Sequence, residues 1–163
     1  MYRRDQNQNQ NRNRNRTKRA VTRKKVFVIP YVGNKVMMVK DRKTGEWGFI
    51  SGGVKNHESY FQAAQRELHE ETSGLMPYIP DDHGRSPFKT MYRPEELLRV
   101  NERRGEQVSS SYCVFWIPIH PTFAKTLETA FVPNEEVTQL RVDEYHKFRN
   151  RWIVCDMFMN SLA

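Results

Sequence analysis

Residues 52–75, GGVKNHESYFQAAQRELHEETSGL, contain the pattern that decides the fold. After two glycines, Phe61, Ala64 and Leu68 recur at i, i+3 and i+7, the apolar stripe of an amphipathic helix. Gly74 follows as a stop signal, because glycine adopts the left-handed conformation that ends many helices. The stretch therefore predicts a helix that packs one apolar face against the rest of the domain.

Three glutamates of the predicted helix lie on a different face. Glu67, Glu70 and Glu71 stand at i, i+3 and i+4, so their carboxylates share one side of the helix. On a solvated face such a cluster is common and needs no function. Here, however, a glycine loop and Glu58 precede the cluster and Arg66 adjoins it. This set suits a hard divalent cation, because Mg²⁺ binds few carboxylates and shares its other positions with water and substrate phosphates.

The spacing of these residues resembles the signature of the Nudix (MutT-like) hydrolase family. That signature reads Gly, five residues, Glu, seven residues, Arg-Glu, an aliphatic residue, any residue, and Glu-Glu. The matching residues here are Gly52, Glu58, Arg66, Glu67, Leu68, Glu70 and Glu71. On these residues the chain is identified as a member of the family.

Two departures from the family pattern adjoin the signature. Thr72 and Ser73 both precede Gly74, where the family usually has one residue, and Ser51 replaces a frequent proline. The extra residue lies beyond the carboxylates, so we expect it to alter the end of the helix and to leave the acidic face in register. The departures bear on the substrate subclass more than on catalysis.

The resemblance implies a site for Mg²⁺ or Mn²⁺ that cleaves a diphosphate. The implied metal ligands are Glu67, Glu70, Glu71 and the carbonyl of Gly52. The implied catalytic residues are Glu67, Glu70 and Arg66, supported by Glu58 and Gly53. Family members differ in which glutamate is the general base, and a further acid from a distant loop sometimes serves. Glu135 and Glu136 are candidates for that role, with the start of a helix after Pro133-Asn134 as the alternative.

The rest of the chain predicts strands around this helix. The turn signal Gly33-Asn34 joins strands at 26–30 and 36–40, and a third strand spans 47–50. Farther on, the pattern predicts a hairpin of 96–101 with 108–119, a loop over 120–133 and a terminal helix over 144–162. One side of that helix would carry the apolar residues Tyr145, Phe148, Trp152, Cys155 and Met159. With the resemblance, this order predicts an α/β fold, a Nudix-type α/β/α sandwich with a mixed sheet.

The charge is concentrated at one end of the chain. Ten of the 27 Lys and Arg residues but one of the 19 acidic residues lie within residues 1–25, so this segment carries +9 and the remainder −1. Residues 5–16 repeat Asn, Gln and Arg without an apolar side chain, so they have nothing to bury. We therefore predict a disordered basic tail over 1–22 and one domain over 23–163.

Several protein classes do not fit this sequence. No apolar run approaches the roughly 20 residues of a membrane span, and no apolar segment typical of a secretory signal follows the N-terminal charges. Cys113 and Cys155 are too few and too far apart for a disulfide scaffold or a zinc cluster. We expect an intracellular protein without a membrane partner, cytoplasmic or nuclear. The sequence predicts no oligomeric state.

The tail bears on the substrate. A flexible basic arm binds polyanions by counterion release, and the expected RNA-binding residues are Arg12, Arg14, Arg16, Lys18 and Arg19. A solubilising or nuclear-targeting arm is the alternative. A basic arm beside a diphosphate hydrolase resembles the plan of small viral and cellular Nudix decapping enzymes, particularly those of large DNA viruses, which implies capped mRNA as substrate and release of m⁷GDP.

Other substrates and a non-enzymatic role remain open from the sequence. The alternatives are small nucleotides (NTPs, dinucleoside polyphosphates or nucleotide sugars), diphosphoinositol phosphates, and an RNA-binding protein with a degenerate Nudix domain. A cap base would need an aromatic ring to stack on and an acid for its positive charge. The aromatic candidates are Tyr31, Tyr92, Tyr112 and Trp116, each of which also suits core packing.

Overall fold

The computed structural model describes residues 21–76, 89–92 and 108–160. Within these ranges, seven strands and three helices follow the chain. The strands are β1 (Val21–Val32), β2 (Lys35–Asp41), β3 (Trp47–Gly48), β4 (Ile50–Gly53), β5 (Lys89–Tyr92), β6 (Val108–Pro118) and β7 (Val137–Glu144). The helices are α1 (Tyr60–Glu71), α2 (Pro121–Ala130) and α3 (Val154–Asn160), with a 3₁₀ turn at Tyr145–Lys147.

Strand β1 lies at the centre of one mixed sheet. Its whole length pairs in parallel with β6, from Val21 opposite Val108 to Tyr31 opposite Pro118. On its other side β1 pairs antiparallel with β2 at one end and with β4 at the other. Strand β7 extends the sheet beyond β2, and β5 beyond β6, both antiparallel. The predicted mixed sheet is confirmed.

Alternating side chains of β1 build two separate cores, because successive strand residues point to opposite faces. Val26 and Val28 are buried in a cluster with Leu68 of α1 and residues of α2. Phe27 and Ile29 are buried on the other face, in a cluster that includes residues of α3. Helices therefore cover both faces of the sheet, and the predicted α/β/α sandwich is confirmed.

The predicted loop over 120–133 is wrong, because this segment contains α2. His120 caps the helix, with its Nδ1 accepting a hydrogen bond from the backbone N–H of Thr122 at 3.1 Å, and Pro121 occupies the first turn. Ala124 and Leu127 face the sheet and are buried. Two buried residues form a weak periodic signal, but a proline at the first helical position is a start signal that favours a helix here.

The predicted terminal helix over 144–162 is wrong in extent. Strand β7 runs through Glu144, and Asn150 has φ of 57°, a left-handed conformation that interrupts a helix. Among the described residues of this segment, only Val154–Asn160 is α-helical. Phe148 and Cys155, which the prediction grouped on one apolar side, are both fully buried. Spacing alone did not separate one long helix from a strand, a turn and a short helix that bury the same residues.

Some predictions fall outside the described residues. These are most of the tail over 1–22 and the strand at 96–101. Among the described residues, β6 pairs with β5, a strand that the pattern did not predict. No helix within the described ranges combines the length and apolar character needed to cross a membrane.

Candidate active site

Helix α1 begins with a capping box beside β4. The hydroxyl of Ser59 accepts from the backbone N–H of Gln62 at 3.1 Å, and the Gln62 side chain accepts from the backbone N–H of Ser59 at 2.9 Å. This reciprocal pair satisfies N–H groups that the first turn would otherwise leave free. The cap fixes where the helix starts, and thereby which of its side chains face β4.

Two of the three predicted carboxylates are buried and the third is exposed. Glu67 and Glu71 retain 6% and 8% of their exposure, whereas the Glu70 side chain retains 43%. A helical turn separates Glu67 and Glu71, so both reach beneath β4, while Glu70 points toward solvent. The acidic face is therefore divided between the interior and the surface, which spacing alone did not predict.

Glu71 is held by the backbone of β4. Its Oε2 accepts from the backbone N–H of Ser51 at 2.9 Å. Burial raises the pKa of Glu71 well above its usual range, and the hydrogen bond from Ser51 opposes that shift only in part. A proline at position 51 has no N–H to donate, so the serine found there is what makes this contact available.

Gly52 permits β4 to approach Glu67 closely. A Cβ at position 52 would overlap the carboxyl group of Glu67, whereas one at Gly53 would meet nothing within 4 Å. Glycine is thus required at one of the two positions, and it brings the strand backbone next to a buried carboxylate.

Arg66 joins the glycine loop to the acidic face. Its Nε and Nη2 each donate to a different oxygen of Glu58 at 2.9 Å, and Nη2 also donates to the carbonyl of Gly53 at 2.9 Å. Its Nη1 donates to Oε1 of Glu67 at 2.7 Å. Hydrogen bonds from Arg66 lower the pKa of Glu58 to about 2, and because Glu58 and Glu67 accept these bonds, the pKa of Arg66 is raised above its usual range. Glu58 and Arg66 therefore orient Glu67, as a supporting pair would.

A third carboxylate reaches the buried pair from a distant loop. Oxygens of Glu67, Glu71 and Glu136 lie within 4.8 Å of one another. Burial raises the pKa of Glu67 as well, although Arg66 opposes that rise. Arg66 donates a hydrogen bond to Glu67, and the positive charge of Lys25 lowers the pKa of Glu71, against the effect of burial. Three converging carboxylates fit a hard divalent cation such as Mg²⁺ or Mn²⁺, which prefers oxygen ligands.

The loop that carries Glu136 leads into a strand and not into a helix. Oδ1 of Asn134 accepts from the backbone N–H groups of Glu136 and Val137 at 2.9 and 2.8 Å, and β7 begins at Val137. The alternative interpretation of this segment as a helix start is therefore wrong. An Asx turn of this kind is typical of Asn after Pro, but the sequence does not indicate what the turn lies against.

Glu70 and Glu135 lie at the rim of the same site. They line an open cleft of about 540 Å³ on the solvent side, and Lys55, Arg66 and Asn134 also line it. Oε2 of Glu70 is 3.5 Å from Nη1 of Arg66. Their assignment as metal ligand and general base stays a prediction.

A second cleft of about 530 Å³ opens on the other side of Glu71. Ser51 and Glu71 form one part of its wall, and the partly buried ring of Trp152 forms another. The Nζ of Lys25 lies 4.5 Å from the centre of the Trp152 ring. Asp41 and Glu46 also line this cleft. Sequence reasoning missed Trp152 because its spacing fitted the apolar side of a helix.

The aromatic residues expected near a base pack elsewhere. Tyr112 is buried with its ring 5.3 Å from that of Phe27, and Tyr31 packs edge-on against Trp116 at 6.4 Å. None of these three lines the cleft beside Glu71. Their alternative role in packing is therefore the one that the structure supports. The side chain of Tyr92 and the predicted RNA-binding residues Arg12, Arg14, Arg16, Lys18 and Arg19 lie outside the described set.

Solved structures with a similar fold are Nudix proteins. A MutT NUDIX hydrolase from Burkholderia pseudomallei has 13% identity and a TM-score of 0.59, covering 87% of this chain and 98% of that one. A NUDIX hydrolase from Nitrosomonas europaea has 17% identity and a TM-score of 0.51, covering 85% and 68%. A bifunctional NMN adenylyltransferase/ADP ribose pyrophosphatase from Francisella tularensis, complexed with AMP and a Mn ion, has 13% identity and a TM-score of 0.58, covering 93% and 44%.

Identities this low establish the fold alone, and this chain spans less than half of the Francisella protein. The family is established by a separate comparison, in which the model of the NUDIX domain matches residues 21–154. Membership of this family supports the predicted pyrophosphohydrolase activity. The match includes the glycine loop, the carboxylates of α1 and the loop with Glu136, and the chain accordingly belongs to the NUDIX domain family.

Proposed function

We propose that this chain hydrolyses a diphosphate bond in a nucleoside-linked substrate with the help of Mg²⁺ or Mn²⁺, and that the substrate is the capped end of mRNA. The observation that carries the proposal is the convergence of Glu67, Glu71 and Glu136, of which Glu71 also lines a cleft of about 530 Å³. The choice of capped RNA rests on the basic tail and on the lining of that cleft.

The proposed cation holders are the three converging glutamates, with Glu70 and the Gly52 carbonyl as further oxygen donors. When bound, the cation neutralises the diphosphate and activates water for attack at phosphorus. Arg66 fixes the orientation of Glu67 through the 2.7 Å hydrogen bond. The backbone N–H of Ser51 fixes Glu71 in the same way. These contacts organise the carboxylates before the substrate arrives, so the reaction need not reorder them.

The reaction consumes one water. Its oxygen forms a bond to one phosphorus, the anhydride P–O bond breaks, and the two products each leave with a phosphate group. The proton released by the water passes to a carboxylate of the site, and the candidates within the solvent-side cleft are Glu67, Glu70, Glu135 and Glu136. Glu58 is unsuited to this role, because its pKa of about 2 makes it a weak base.

The cleft beside Glu71 supports a nucleoside as the group next to the diphosphate. Its Trp152 ring offers a stacking surface, and base–aromatic stacking contributes about 1–3 kcal/mol. The Lys25 ammonium lines the same cleft, 4.5 Å from the centre of that ring, where its positive charge suits a phosphate. The carboxylates of Asp41 and Glu46 favour a base with a positive charge, such as 7-methylguanine.

The tail supports RNA as the remainder of the substrate. Residues 1–25 carry a net charge of +9, whereas the rest of the chain is close to neutral. Neutralising phosphates along an RNA strand releases counterions, so the arm should raise affinity for long RNA and make it strongly dependent on salt. A small nucleotide offers few phosphates to such an arm.

A second candidate is hydrolysis of a small nucleotide. It is favoured by the near-neutral charge outside the tail and by relatives described as ADP-ribose pyrophosphatases. The cleft of about 530 Å³ fits one nucleotide as well as it fits a cap. The experiment must therefore compare the two substrate classes directly.

The test is an incubation of the full chain with Mn²⁺ or Mg²⁺ and cap-labelled RNA, in parallel with free cap dinucleotide, ADP-ribose, NTPs and a diphosphoinositol phosphate. The proposal predicts release of m⁷GDP from RNA, with free cap dinucleotide spared. A full-length variant with Arg12, Arg14, Arg16, Lys18 and Arg19 changed to Gln should lose activity on RNA and its salt dependence. Turnover of small substrates with RNA untouched would favour the second candidate, and RNA binding without any turnover would favour a degenerate Nudix domain.

A further inference from the structure

The extra residue in the signature ends α1 in an unusual way. Ser73 has φ of 54°, a left-handed conformation that glycine usually supplies. Its backbone N–H donates to the carbonyl of Glu70 at 3.3 Å, and that of Gly74 donates to the carbonyl of His69 at 2.8 Å. This is a Schellman ending, in which the last helical carbonyls are satisfied by the residues that follow. It leaves the Ser73 side chain directed away from the helix.

That side chain joins the helix end to the loop with Glu136. The Ser73 hydroxyl donates to the carbonyl of Val132 at 2.6 Å and accepts from Nδ2 of Asn134 at 3.0 Å. Residues 131–136 separate α2 from β7, and Val132 is 64% exposed, so few apolar contacts hold this loop. The hydroxyl therefore provides a specific attachment where burial provides little.

Asn134 uses both ends of its amide. Nδ2 also contacts the carbonyls of Glu70 and Glu71 at 3.2 and 3.3 Å, at the C-terminal end of α1. Oδ1 accepts from the backbone N–H of Glu136, as described above. One side chain thus links the backbone of two glutamates on the helix to the backbone of the glutamate on the loop.

Arg42 holds the loop from the opposite side. Its Nε and Nη2 donate to the carbonyl of Asn134 at 3.0 and 2.8 Å, and its backbone N–H donates to the carbonyl of Glu136 at 2.9 Å. Arg42 directly follows β2, so it is attached to the sheet. Three connections therefore converge on the segment that ends in Glu136.

We propose that Ser73, Asn134 and Arg42 form a clasp that positions Glu136 for the cation. This inference rests on the proposed function, since it assigns the clasp to the same site. Three carboxylates within 4.8 Å repel one another, and an exposed carboxylate on a free loop would move away. The clasp fixes its backbone, so the third ligand is in place without the cation. The residue that departs from the family spacing is the one that attaches the helix.

The inference predicts that cation affinity depends on hydrogen bonds that do not touch the cation. Residues that orient metal ligands typically change metal affinity about 10–100-fold when mutated. We expect Asn134→Ala to weaken Mn²⁺ binding by about that factor. We expect Ser73→Gly to weaken it about 3–10-fold, as for the loss of one hydrogen bond. Glycine accepts the backbone conformation at position 73, so this variant removes the hydroxyl without adding strain.

The experiment measures Mn²⁺ binding to the full chain from the electron paramagnetic resonance signal of free Mn²⁺, without substrate. Thr129→Ala is the matched control, because Thr129 also donates its hydroxyl to a backbone carbonyl at 2.6 Å, but on the exposed side of α2. Each variant is then combined with Glu136→Gln. If the clasp acts through Glu136, Ser73→Gly and Asn134→Ala cause no further loss of Mn²⁺ affinity when Glu136→Gln is already present.

Several results would overturn the clasp. One is wild-type Mn²⁺ affinity in both Ser73→Gly and Asn134→Ala. Others are a loss of Mn²⁺ affinity that is as large when Glu136→Gln is also present, or as large in the control Thr129→Ala. The last is no Mn²⁺ binding by the wild-type chain. Circular dichroism identifies a variant that fails to fold, and Ser73→Gly then carries the test. The clasp stands if Mn²⁺ binding responds as expected while no nucleotide is hydrolysed, so its failure and that of the proposed function are distinguishable.

Discussion

The two regions that supply carboxylates to the site differ in how the chain brings them there. Helix α1 provides Glu67 and Glu71 one turn apart, so local geometry fixes their relation. Glu136 comes from a loop 65 or more residues later in the chain, held by contacts from α1 and from the end of β2. The helix therefore carries its part of the site as a local property, whereas the loop's part depends on the assembled fold.

The largest effect is expected on the helix side, from Glu71→Gln. The glutamine can still accept the hydrogen bond from Ser51 through its amide oxygen, but it lacks the charge that a cation needs. We expect kcat to fall on the order of 10²–10⁴-fold, measured on whichever nucleotide proves to be the substrate. Thermal unfolding in EDTA should show no loss of stability, because the variant removes a buried charge. Retained turnover would contradict the assignment of Glu71.

The glycines of β4 provide a matched pair on the same side. Gly52→Ala places a Cβ against the carboxyl group of Glu67, and overpacking of this kind costs about 1–3 kcal/mol. We expect a lower free energy of unfolding, from denaturant titration, together with weaker Mn²⁺ binding. Gly53→Ala is the control, because its Cβ has open space. Equal effects of the two substitutions would show that the close approach of β4 to Glu67 is unimportant.

A substitution in the cleft beside Glu71 should change KM and leave kcat nearly unchanged. Trp152→Ala removes the stacking surface from the wall beside Glu71, and we expect KM to rise about 5- to 100-fold with little change in kcat. Steady-state kinetics on the full chain separate the two constants. Phe123→Ala is a control, since Phe123 is exposed on α2 and does not line the cleft. A fall in kcat at constant KM would be inconsistent with a binding role for Trp152.

The smallest effects are expected in the dependence of stability on pH. Burial raises the pKa of Glu71 in the folded chain. Its contribution to the stability of the folded chain is therefore full below the ordinary pKa of 4.5 and is lost as pH rises through the raised pKa. Arg66 lowers the pKa of Glu58 to about 2, so that contribution is present above 4.5 and is lost as pH falls toward 2.

In EDTA, the melting temperature of Glu71→Gln should therefore rise relative to that of the wild type as pH rises above about 4.5. Glu58→Gln should lie below wild type at neutral pH and approach it as pH falls toward 2. Saturating Mn²⁺ should remove the first difference, because the cation favours the ionised carboxylate. Parallel curves for all three proteins would contradict these pKa directions.

The same contrast explains what the sequence could predict. The helix and the shared side of Glu67 and Glu71 follow from periodicity, which is local. The mixed sandwich followed from the family resemblance and from the order of the strands. The burial of each glutamate was not predictable from the spacing. Glu70 and Glu71 adjoin in sequence, but β4 covers Glu71 and leaves Glu70 exposed.

The unpredicted parts depend on contacts between distant segments. Asn134 contacts Glu70 across 64 residues and Arg42 across 92, and no local pattern records such pairs. Trp152 had the spacing of a core helix, and only the left-handed Asn150 and the ending of β7 place it in a cleft wall. Helix α2 was missed for the same reason, because its two buried residues are too few for a periodic pattern and are buried only by packing against the sheet.

In the proposed site, a helix and a distant loop together hold one divalent cation for hydrolysis of a diphosphate. The most direct test is Mn²⁺ binding, measured beside turnover, in wild type and in Glu136→Gln, with Glu135→Gln as the neighbouring control. We predict that Glu136→Gln weakens Mn²⁺ binding about 10–100-fold and lowers turnover at subsaturating Mn²⁺, while Glu135→Gln binds as wild type does. Unchanged Mn²⁺ affinity in Glu136→Gln would contradict the account.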